Sequence, residues 1–364
     1  MKISWLQPRQ LWLLAKRYWQ RNIWHKIVVV FSLVLALWAG TMYGVAEWYI
    51  QRHNDEPLVL GTSFIPSYAE QYGLDPQQTL EAILSELQVK HLRLVSYWDE
   101  LEPVQGRYDF SRLDWQFALA QKYGAKVTLS IGLRQPRWPE CHAPRWTENQ
   151  PQSVWLPQLK SFMGAIIDHY KDSPQLQSYQ LENEYFLSAF GDCKHFGDDR
   201  QRLEEEFAFV KSKDAGHPVI SSLSNNIPTV PIGQPRPDQF GMSVYKRNFD
   251  GNLTHRYFEY PLPSWYFAAR AGMTELLTGR TSMLHELQAE PWGPTETKYL
   301  SIDEQNKSMS PDRLHAQVRF AKDTGLRTID LWGAEWWYWR KERLNQPDVW
   351  NAAKTEFLAA NAGH

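Results

Sequence analysis

The chain lacks several features that would point to whole classes of protein. Its 364 residues contain two cysteines, enough for one disulfide at most. It has no internal repeat and no long low-complexity segment, which argues against a repeat array and against extended disorder. No glycine-rich phosphate loop follows the first predicted strand, and this weakens the case for an open nucleotide-binding sheet.

Excess positive charge is confined to the N-terminus. Residues 1–26 contain six Lys/Arg and no acidic residue, and the rest of the chain has 33 basic against 41 acidic residues, a net charge of −8. An acidic domain without a basic patch is not expected to bind nucleic acid. The hydrophobic share of 43% is enough for one sizeable core, and the length suits a single barrel plus an N-terminal extension.

An uncharged apolar run of 20 residues, 27–46, follows the basic leader. This is the length that crosses a hydrocarbon layer of about 30 Å, and the preceding cations predict a cytoplasmic N-terminus. A cleaved signal peptide is the alternative, with residues 44–46 as a weak cleavage site, but the run and its leader are long for that role. We therefore predict a single-pass membrane protein composed of a leader (1–26), an uncleaved anchor (27–46), a linker (47–57) and an extracytoplasmic domain (58–364).

From residue 58 the chain alternates apolar runs with amphipathic helices. The predicted strands are Leu58–Phe64, Leu92–Tyr97, Lys126–Ile131, Leu176–Glu184, Val219–Leu223, Phe240–Tyr245, Ser282–Glu286 and Thr328–Trp332. Alternation of this kind argues for a parallel sheet in an α/β protein. Eight units in about 300 residues favour closure into a (β/α)₈ TIM barrel over an open doubly wound sheet.

Two carboxylates end predicted strands. Glu184 lies in the segment Tyr179–Tyr185 (YQLENEY), and Glu286 lies in Met283–Trp292 (MLHELQAEPW). A parallel barrel gathers the carboxyl ends of its strands at one face, so residues distant in sequence meet there. Two carboxyl groups facing each other across a sugar are the minimal equipment for cleaving a glycosidic bond, and in retaining enzymes they stand about 5–5.5 Å apart.

The order of these motifs resembles the large clan of retaining barrel glycosidases that includes cellulase-like and bacterial β-galactosidase-like enzymes. Arg93 in the second predicted strand and the following segment Glu102–Phe110 are similar to the corresponding part of that clan. The resemblance implies that Glu184, preceded by Asn183, is the acid/base and that Glu286 is the nucleophile. It covers roughly residues 58–340, does not name a sugar or a linkage, and implies no cofactor and no metal.

The resemblance also implies a set of substrate contacts. Tyr245 is expected to hydrogen-bond the nucleophile, and Trp332 is expected to form the floor of the sugar site. The full substrate-binding set is Arg93, Trp98, Asn183, Tyr245 and Trp332. Glu290, one helical turn beyond Glu286, is the alternative nucleophile; Glu286 is preferred because it directly ends its predicted strand.

The two cysteines fall in loops after the third and fourth predicted strands, which are neighbours in a barrel. Outside the cytoplasm we expect a disulfide between Cys141 and Cys193. A zinc site that adds His142 and His195 is the alternative, although the spacing is not that of known zinc fingers. Two free thiols are the third possibility.

Three functions are compatible with these residues. The first is a membrane-anchored retaining β-glycosidase that hydrolyses an oligosaccharide or polysaccharide. The second is a transglycosylase of the same fold, which passes the glycosyl group to another sugar instead of water. The third is a carbohydrate-binding barrel without activity, and the presence of both Glu184 and Glu286 argues against it.

Overall fold

The computed structural model describes residues 9–10, 12–13, 16, 23–187, 190–193, 196–197, 199–224, 233 and 235–363. Eight parallel strands close into a barrel, which confirms the predicted (β/α)₈ fold. Around the barrel they follow the order β1 (Val59–Phe64), β2 (His91–Val95), β3 (Lys126–Ile131), β4 (Leu176–Leu181), β5 (Val219–Leu223), β6 (Gln239–Val244), β9 (Thr281–Gln288) and β10 (Thr328–Trp332). A separate antiparallel hairpin pairs β7 (Arg247–Phe249) with β8 (Tyr257–Glu259).

Helices surround the barrel. In chain order they are α1 (Ile23–His53), α2 (Pro66–Gln71), α3 (Pro76–Glu86), α4 (Trp98–Leu101), α5 (Ser111–Tyr123), α6 (Gln152–Tyr170), α7 (Arg200–Lys213), α8 (Ser264–Thr278), α9 (Ile302–Ser308), α10 (Pro311–Lys322), α11 (Ala334–Leu344) and α12 (Asp348–Ala362). Short 3₁₀ turns occupy Arg145–Thr147 and Thr297–Tyr299.

Helix α3 shows how the local sequence determines where a helix begins and which face it buries. Asp75 precedes the helix in an extended conformation, and its carboxylate accepts a hydrogen bond from the Gln78 backbone N–H at 2.8 Å. Pro76 occupies the first helical position, where no intrahelical N–H bond is lost. Leu80 and Ile83 lie on one face and are fully buried, so the helix binds the barrel through an apolar stripe.

Helix α1 is one continuous element of 31 residues. Residues 31–41 are exposed, whereas Ala46 and Tyr49 are buried against α8. Among the described residues it is the one helix whose length and composition would allow it to cross a membrane, and a signal sequence would meet the same criteria. The predicted linker 47–57 differs from the structure, because Glu47–His53 completes α1 and packs on the barrel instead of forming a tether.

The sequence analysis missed the β7–β8 hairpin. Each strand has three residues, too short for a two-residue alternation to stand out from loop sequence. The hairpin follows β6 and lies beside the end of β9: the Phe249 N–H donates to the Trp292 carbonyl at 3.0 Å. It therefore extends the carboxyl-terminal end of the barrel.

Candidate active site

A cavity of about 380 Å³ opens at the carboxyl-terminal end of the barrel strands. Reactive groups of (β/α)₈ enzymes lie at this end. The lining residues are Arg137, Trp138, Glu140, Asn183, Glu184, Leu187, Phe190, Ser224, Tyr245, Asn248, Glu286, Trp292 and Trp332. Five of the predicted site residues thus meet in one cavity.

Glu184 lies three residues beyond β4, which ends at Leu181 and not at Glu184 as predicted. The chain leaves the strand with φ of 55° at Glu182 and 42° at Glu184, a left-handed backbone that is rare outside glycine and enriched at functional sites. The Glu184 N–H donates to the Ser222 hydroxyl at 2.6 Å. The Ser243 hydroxyl donates to Glu184 Oε1 at 2.5 Å. Two neighbouring strands, β5 and β6, therefore fix this carboxyl in the cavity.

Glu182 does not line the cavity but binds the backbone of a neighbouring loop. Its carboxylate accepts hydrogen bonds from the backbone N–H groups of Leu133 at 2.7 Å and Arg134 at 2.9 Å. Gly132, at φ 106°, permits this approach, since a Cβ there would lie 2.4 Å from Glu182 Oε1. The carboxylate of Glu182 therefore ties the loop after β3 to the end of β4.

Glu286 lies inside β9, which continues to Gln288 and does not stop at Glu286 as predicted. The pairing with β6 skips His285: Met242 pairs with Leu284, and the next pair joins Ser243 to Glu286. An extra residue of this kind re-aims the side chains that follow it, and such bulges occur beside active sites. In this strand the bulge directly precedes Glu286, whose side chain lines the cavity.

Two donors hold the Glu286 carboxylate. Arg93 Nη1 donates to Oε1 at 2.6 Å, and the Tyr245 hydroxyl donates to Oε2 at 2.7 Å. The Arg93 side chain is fully buried, so its attraction to the carboxylate is little weakened by solvent. The Tyr245 contact is the one that the motif resemblance implied.

The two cavity carboxyls have opposite pKa shifts. Burial and the nearby negative charge of Glu286 raise the pKa of Glu184 to about 7. Burial alone would raise the pKa of Glu286, but the Arg93 guanidinium and the hydrogen bonds from Arg93 and Tyr245 bring it below its ordinary value. One carboxyl thus keeps a proton close to neutral pH while the other is ionised, which is the division that a glycoside-cleaving pair requires.

Asn183 joins several polar groups beneath the cavity. Its Oδ1 accepts from Arg93 Nη2 at 2.9 Å and from Gln180 Nε2 at 3.1 Å, and its Nδ2 donates to Glu140 Oε2 at 3.0 Å. Burial raises the pKa of Glu140 to about 8. Glu140 is a third cavity carboxyl that the sequence analysis missed, because it lies in the loop after β3 and ends no strand.

Trp332 ends β10 and lines the cavity as expected. Its indole Nε1 donates to Glu290 Oε1 at 2.8 Å, and Arg137 Nη2 donates to the same oxygen at 3.1 Å. Burial raises the pKa of Glu290. Glu290 lines a neighbouring cavity of about 450 Å³, with Tyr68 and Arg137 also in its wall.

Trp98, expected to bind substrate, belongs to the core. Its side chain is fully buried, its Nε1 donates to Glu102 Oε2 at 2.6 Å, and its ring stacks on Phe162. An indole without exposed surface offers no face to a sugar. The structure places Trp98 at the start of α4, within the core, so the prediction that it binds substrate is wrong.

Several cavity residues escaped the sequence analysis, in addition to Glu140. Arg137 and Trp138 lie in the loop after β3, and Trp292 follows β9 by four residues. The abundance of tryptophan, 18 residues, was a signal that some would line a sugar site, but it did not say which ones. Which of these loop residues turn inward depends on the fold of the loops, and short motifs do not encode it.

Cys141 and Cys193 form a disulfide, which confirms the expected pairing. Their Cα atoms lie 5.3 Å apart, and the bond joins the loop after β3 to the loop after β4. The zinc alternative also involved His195, which lies outside the described residues. Among the described residues there is no group of three or more His, Cys, Asp or Glu side chains arranged to hold a metal ion.

The disulfide should stabilise the protein measurably. For a loop closed over a separation of 52 residues, we expect the Cys141→Ser/Cys193→Ser variant to lose up to about 4 kcal/mol in the free energy of unfolding. Denaturant unfolding followed by circular dichroism in detergent measures the change. The wild type in reducing agent should behave like the variant, and the variant should not respond to reducing agent. Equal stability of oxidised wild type and variant would contradict the prediction.

The fold and the paired carboxyls are similar to those of the (β/α)₈-barrel glycoside hydrolases. A family model described as β-galactosidase, Glyco_hydro_42, matches residues 70–151. The β-galactosidase BgaH of Haloferax lucentense is 21% identical over 146 residues, which cover 35% of this chain and 22% of that protein. The resemblance to the cellulase-like and β-galactosidase-like clan, inferred from the motifs, is thereby confirmed at the level of the clan.

Solved structures share the fold. The exo-β-1,4-mannosidase Op5Man5 from Opitutaceae bacterium strain TAV5 superposes with a TM-score of 0.56 at 14% identity, covering 83% of this chain and 60% of that one. A GH5_18 protein from Bifidobacterium longum, solved with Manβ1-4GlcNAc, gives a TM-score of 0.55 at 14% identity, covering 76% and 68% of the two chains. This chain spans less than two thirds of BgaH and of the mannosidase. At this identity the likeness shows the fold alone.

Proposed function

We propose that the protein is a retaining β-glycosidase in which Glu286 is the nucleophile and Glu184 is the general acid and base. The observation that carries the proposal is the pairing of the two carboxyls in one cavity with opposite pKa shifts, about 7 for Glu184 and below the ordinary value for Glu286. A bound β-glycoside placed between them meets a protonated acid on one side and an ionised carboxylate on the other.

The reaction proceeds in two displacements. Glu286 attacks the anomeric carbon while Glu184 gives its proton to the glycosidic oxygen, so the aglycone leaves as an alcohol and a covalent glycosyl-enzyme forms. Glu184, now ionised, takes a proton from water, and the resulting nucleophile releases the sugar and restores Glu286. The anomeric configuration is inverted twice and therefore retained.

The groups around Glu286 suit this role. Arg93 and Tyr245 use both carboxylate oxygens, which keeps the group ionised and fixes its orientation. Glu290 is a weaker candidate, because burial raises its pKa and its Oε1 already accepts bonds from Arg137 and Trp332. We propose that Glu290 instead holds Trp332, whose ring forms a wall of the sugar site.

Asn183 is proposed to bind the substrate beside the acid. Its Nδ2 donates to Glu140, and both residues line the cavity. A sugar hydroxyl would find both groups there, and hydrogen bonds that strengthen as charge develops at the anomeric centre lower the barrier.

We propose that α1 anchors the enzyme in a membrane, with the basic leader in the cytoplasm and the barrel outside it. Exposure of residues 31–41 supports this, since a core helix of a soluble protein would be buried. The Cys141–Cys193 disulfide is consistent with an oxidising compartment. Helix α1 is continuous through Ala46 and Tyr49, which are buried against the barrel. Cleavage near Glu47 would cut the helix between these two residues.

The function is tested with the full chain purified in detergent and a panel of aryl β-glycosides. We expect turnover of at least one member with retention of configuration, observed by following the anomeric proton of the first product, and no turnover by Glu286→Ala. Product analysis with an added oligosaccharide acceptor separates hydrolysis from transfer. Binding of sugars without any turnover across the panel would favour the non-catalytic barrel.

The pH dependence of activity should follow the two carboxyls. Because Glu184 must be protonated to act as an acid, kcat/KM is expected to fall as the pH rises through about 7. Because Glu286 must be ionised and its pKa is lowered, the acidic fall should come below the ordinary range of a glutamate. A pH profile of an aryl glycoside measures both limbs. A basic limb that persists unchanged in Glu184→Gln would contradict the assignment.

The anchor makes a prediction about extraction. The full-length protein should remain with membranes in high salt and in alkaline carbonate and be released by detergent, because residues 27–46 lack charge. Protease added from the outer side should digest the barrel. N-terminal sequencing of the mature protein is the control, and a new terminus near Glu47 would show that the segment is cleaved.

A further inference from the structure

Helix α1 runs along the outside of the barrel in a defined direction. A barrel helix that follows a strand starts at the mouth end, where the strands have their carboxyl termini, and runs back to the opposite end. Helix α8 does this between β6 and β9. Tyr43 packs edge-on against Trp265 in the first turn of α8, with ring centroids 6.2 Å apart. Near the last turn, Glu275 binds Arg52 and His53 at 2.8 Å each. The two helices are therefore parallel.

Contacts at the far end of α1 give the same direction. Arg327, which directly precedes β10, donates to the carbonyls of His53 and Asn54 at 2.7 Å each. Gly325, in the same turn, packs so closely on Ile50 that a Cβ would lie 3.0 Å away. These residues are at the amino-terminal end of the strands, opposite the cavity. The residues of α1 that precede Tyr43 consequently project beyond the mouth end.

No tether separates the apolar span from the barrel. The uncharged run reaches Ala46, which is already buried against α8. At Gly272 of α8 a Cβ would lie 2.7 Å from Val45, so the helices are in direct backbone-level contact there. About 20 residues are needed to cross the hydrocarbon layer, and the last residues of this run, from Tyr43 to Ala46, already pack on α8. The mouth end of α8 therefore reaches the layer.

The mouth end also carries the exposed apolar surface of the barrel. The exposed large apolar residues in the segments after the strands, or in the first turn of the next helix, are Val104, Tyr108, Trp138, Val154, Phe186, Leu253, Phe258 and Tyr299. Leu253 is 85% exposed and Trp138 is 63% exposed. Among the described barrel residues, the other exposed large apolar side chains are Leu276 and Leu277 near the end of α8. Aromatic and apolar side chains at one end suit contact with a bilayer interface.

We infer that the cavity mouth faces the bilayer and that the substrate is a saccharide carried on a lipid of the same membrane. This inference rests on the proposed glycosidase function. A glycolipid head group lies in the interfacial layer that the barrel rim reaches, and its lipid holds it at high local concentration. A polymer free in solution must instead enter the narrow space between rim and bilayer. The chemistry is unchanged: water replaces the aglycone at the anomeric carbon.

The orientation is tested with single labels on the full chain in vesicles. Leu253→Cys at the mouth end and Leu277→Cys near the opposite end of α8 are matched, because both replace exposed leucines outside the catalytic groups. A fluorophore on residue 253 should be quenched by a nitroxide placed at the head-group level of the lipid, and one on residue 277 should not. Quenching of residue 277 alone, or of neither, overturns the inference.

The substrate class is tested by reconstituting the enzyme with a diacylglycerol glycoside of the sugar whose aryl β-glycoside it cleaves. The glycolipid in the same vesicle should be cleaved at least about tenfold faster than the same glycolipid in separate vesicles. A flexible Gly-Ser segment inserted between Thr41 and Met42 leaves the contacts from Tyr43 to His53 in place. It allows the barrel to change its orientation relative to the bilayer. This variant should keep aryl glycoside activity and lose about tenfold on the glycolipid in the same vesicle.

Failure of the two proposals can be distinguished. If wild type and Glu286→Ala both leave every aryl glycoside intact, the glycosidase function itself fails. If the aryl glycoside is cleaved but the glycolipid is not, or a soluble oligosaccharide of the same sugar is cleaved faster than the glycolipid, only the lipid-borne substrate is overturned. Equal glycolipid rates for the wild type and the insertion variant also overturn it.

Discussion

Replacement of Glu286 by alanine is expected to remove turnover of ordinary β-glycosides, with a loss in kcat on the order of 10⁵-fold. The reason is that no covalent glycosyl-enzyme can form without the carboxylate that Arg93 and Tyr245 hold in place. The shortened side chain leaves room for a small nucleophile. Azide should therefore restore part of the activity toward an α-glycosyl fluoride and give a product of inverted configuration.

Glu290→Ala is the matched control for this variant. It removes a buried carboxyl of the same type, one that binds Arg137 and Trp332. We expect a higher KM, because Trp332 loses its hydrogen bond, but retained turnover and no response to azide. If Glu290→Ala shows azide rescue while Glu286→Ala stays active, the nucleophile has been assigned to the wrong residue. Mass spectrometry of a trapped 2-fluoroglycosyl enzyme would identify the labelled glutamate directly.

Replacement of Glu184 by alanine should affect substrates according to their leaving groups. Glycosides with poor leaving groups need the proton that Glu184 supplies and should lose activity by about 10²- to 10⁴-fold. Activated aryl glycosides, whose leaving groups need no proton, should still form the glycosyl-enzyme and then accumulate it, because the second step lacks its base. A kinetic burst followed by slow turnover measures this. Azide should speed the second step and give product of retained configuration.

Ser243→Ala serves as the control for Glu184. It keeps the carboxyl but removes the hydroxyl that donates to Oε1, and this hydrogen bond lowers the pKa of Glu184 against the effect of burial. The variant should keep activity on both kinds of leaving group and move the basic limb of its pH profile upward. A uniform loss for all leaving groups in Glu184→Ala, without a burst, would show that this residue binds substrate instead of transferring a proton.

The barrel itself was predictable from the sequence because its eight strands are mostly separated by helices; only the segment between β5 and β6 lacks a predicted helix. Apolar runs such as Lys126–Ile131 and Thr328–Trp332 coincide with β3 and β10. The carboxyl ends of these runs point to the cavity by topology alone. The sequence therefore predicts the positions of Asn183, Glu184, Tyr245 and Trp332 at the strand ends, and that of Arg93 on β2.

Strand ends and loop conformations were not predictable in the same way. The sequence does not reveal the left-handed backbone at Glu184 or the bulge at His285, since both depend on pairing with neighbouring strands. The prediction for Trp98 was wrong because a tryptophan that follows a strand can equally well line a cavity or pack in the core. Glu140 was missed because its position depends on the path of the loop that Cys141 ties to Cys193.

If α1 anchors the barrel in a membrane, as proposed, its packing on α8 also determines which proteolytic cuts leave a stable barrel. Tyr49 is 2% exposed, and burying a large side chain of this kind contributes about 1.5–3 kcal/mol. A cut just before Tyr43 releases a barrel whose outer wall is complete. A cut after His53 removes the part of α1 that packs on α8. It exposes the small-residue face of α8 at Gly272 and leaves Glu275 without Arg52. A cut before Tyr43 would thus release a stable barrel, whereas a cut after His53 would release a destabilised one.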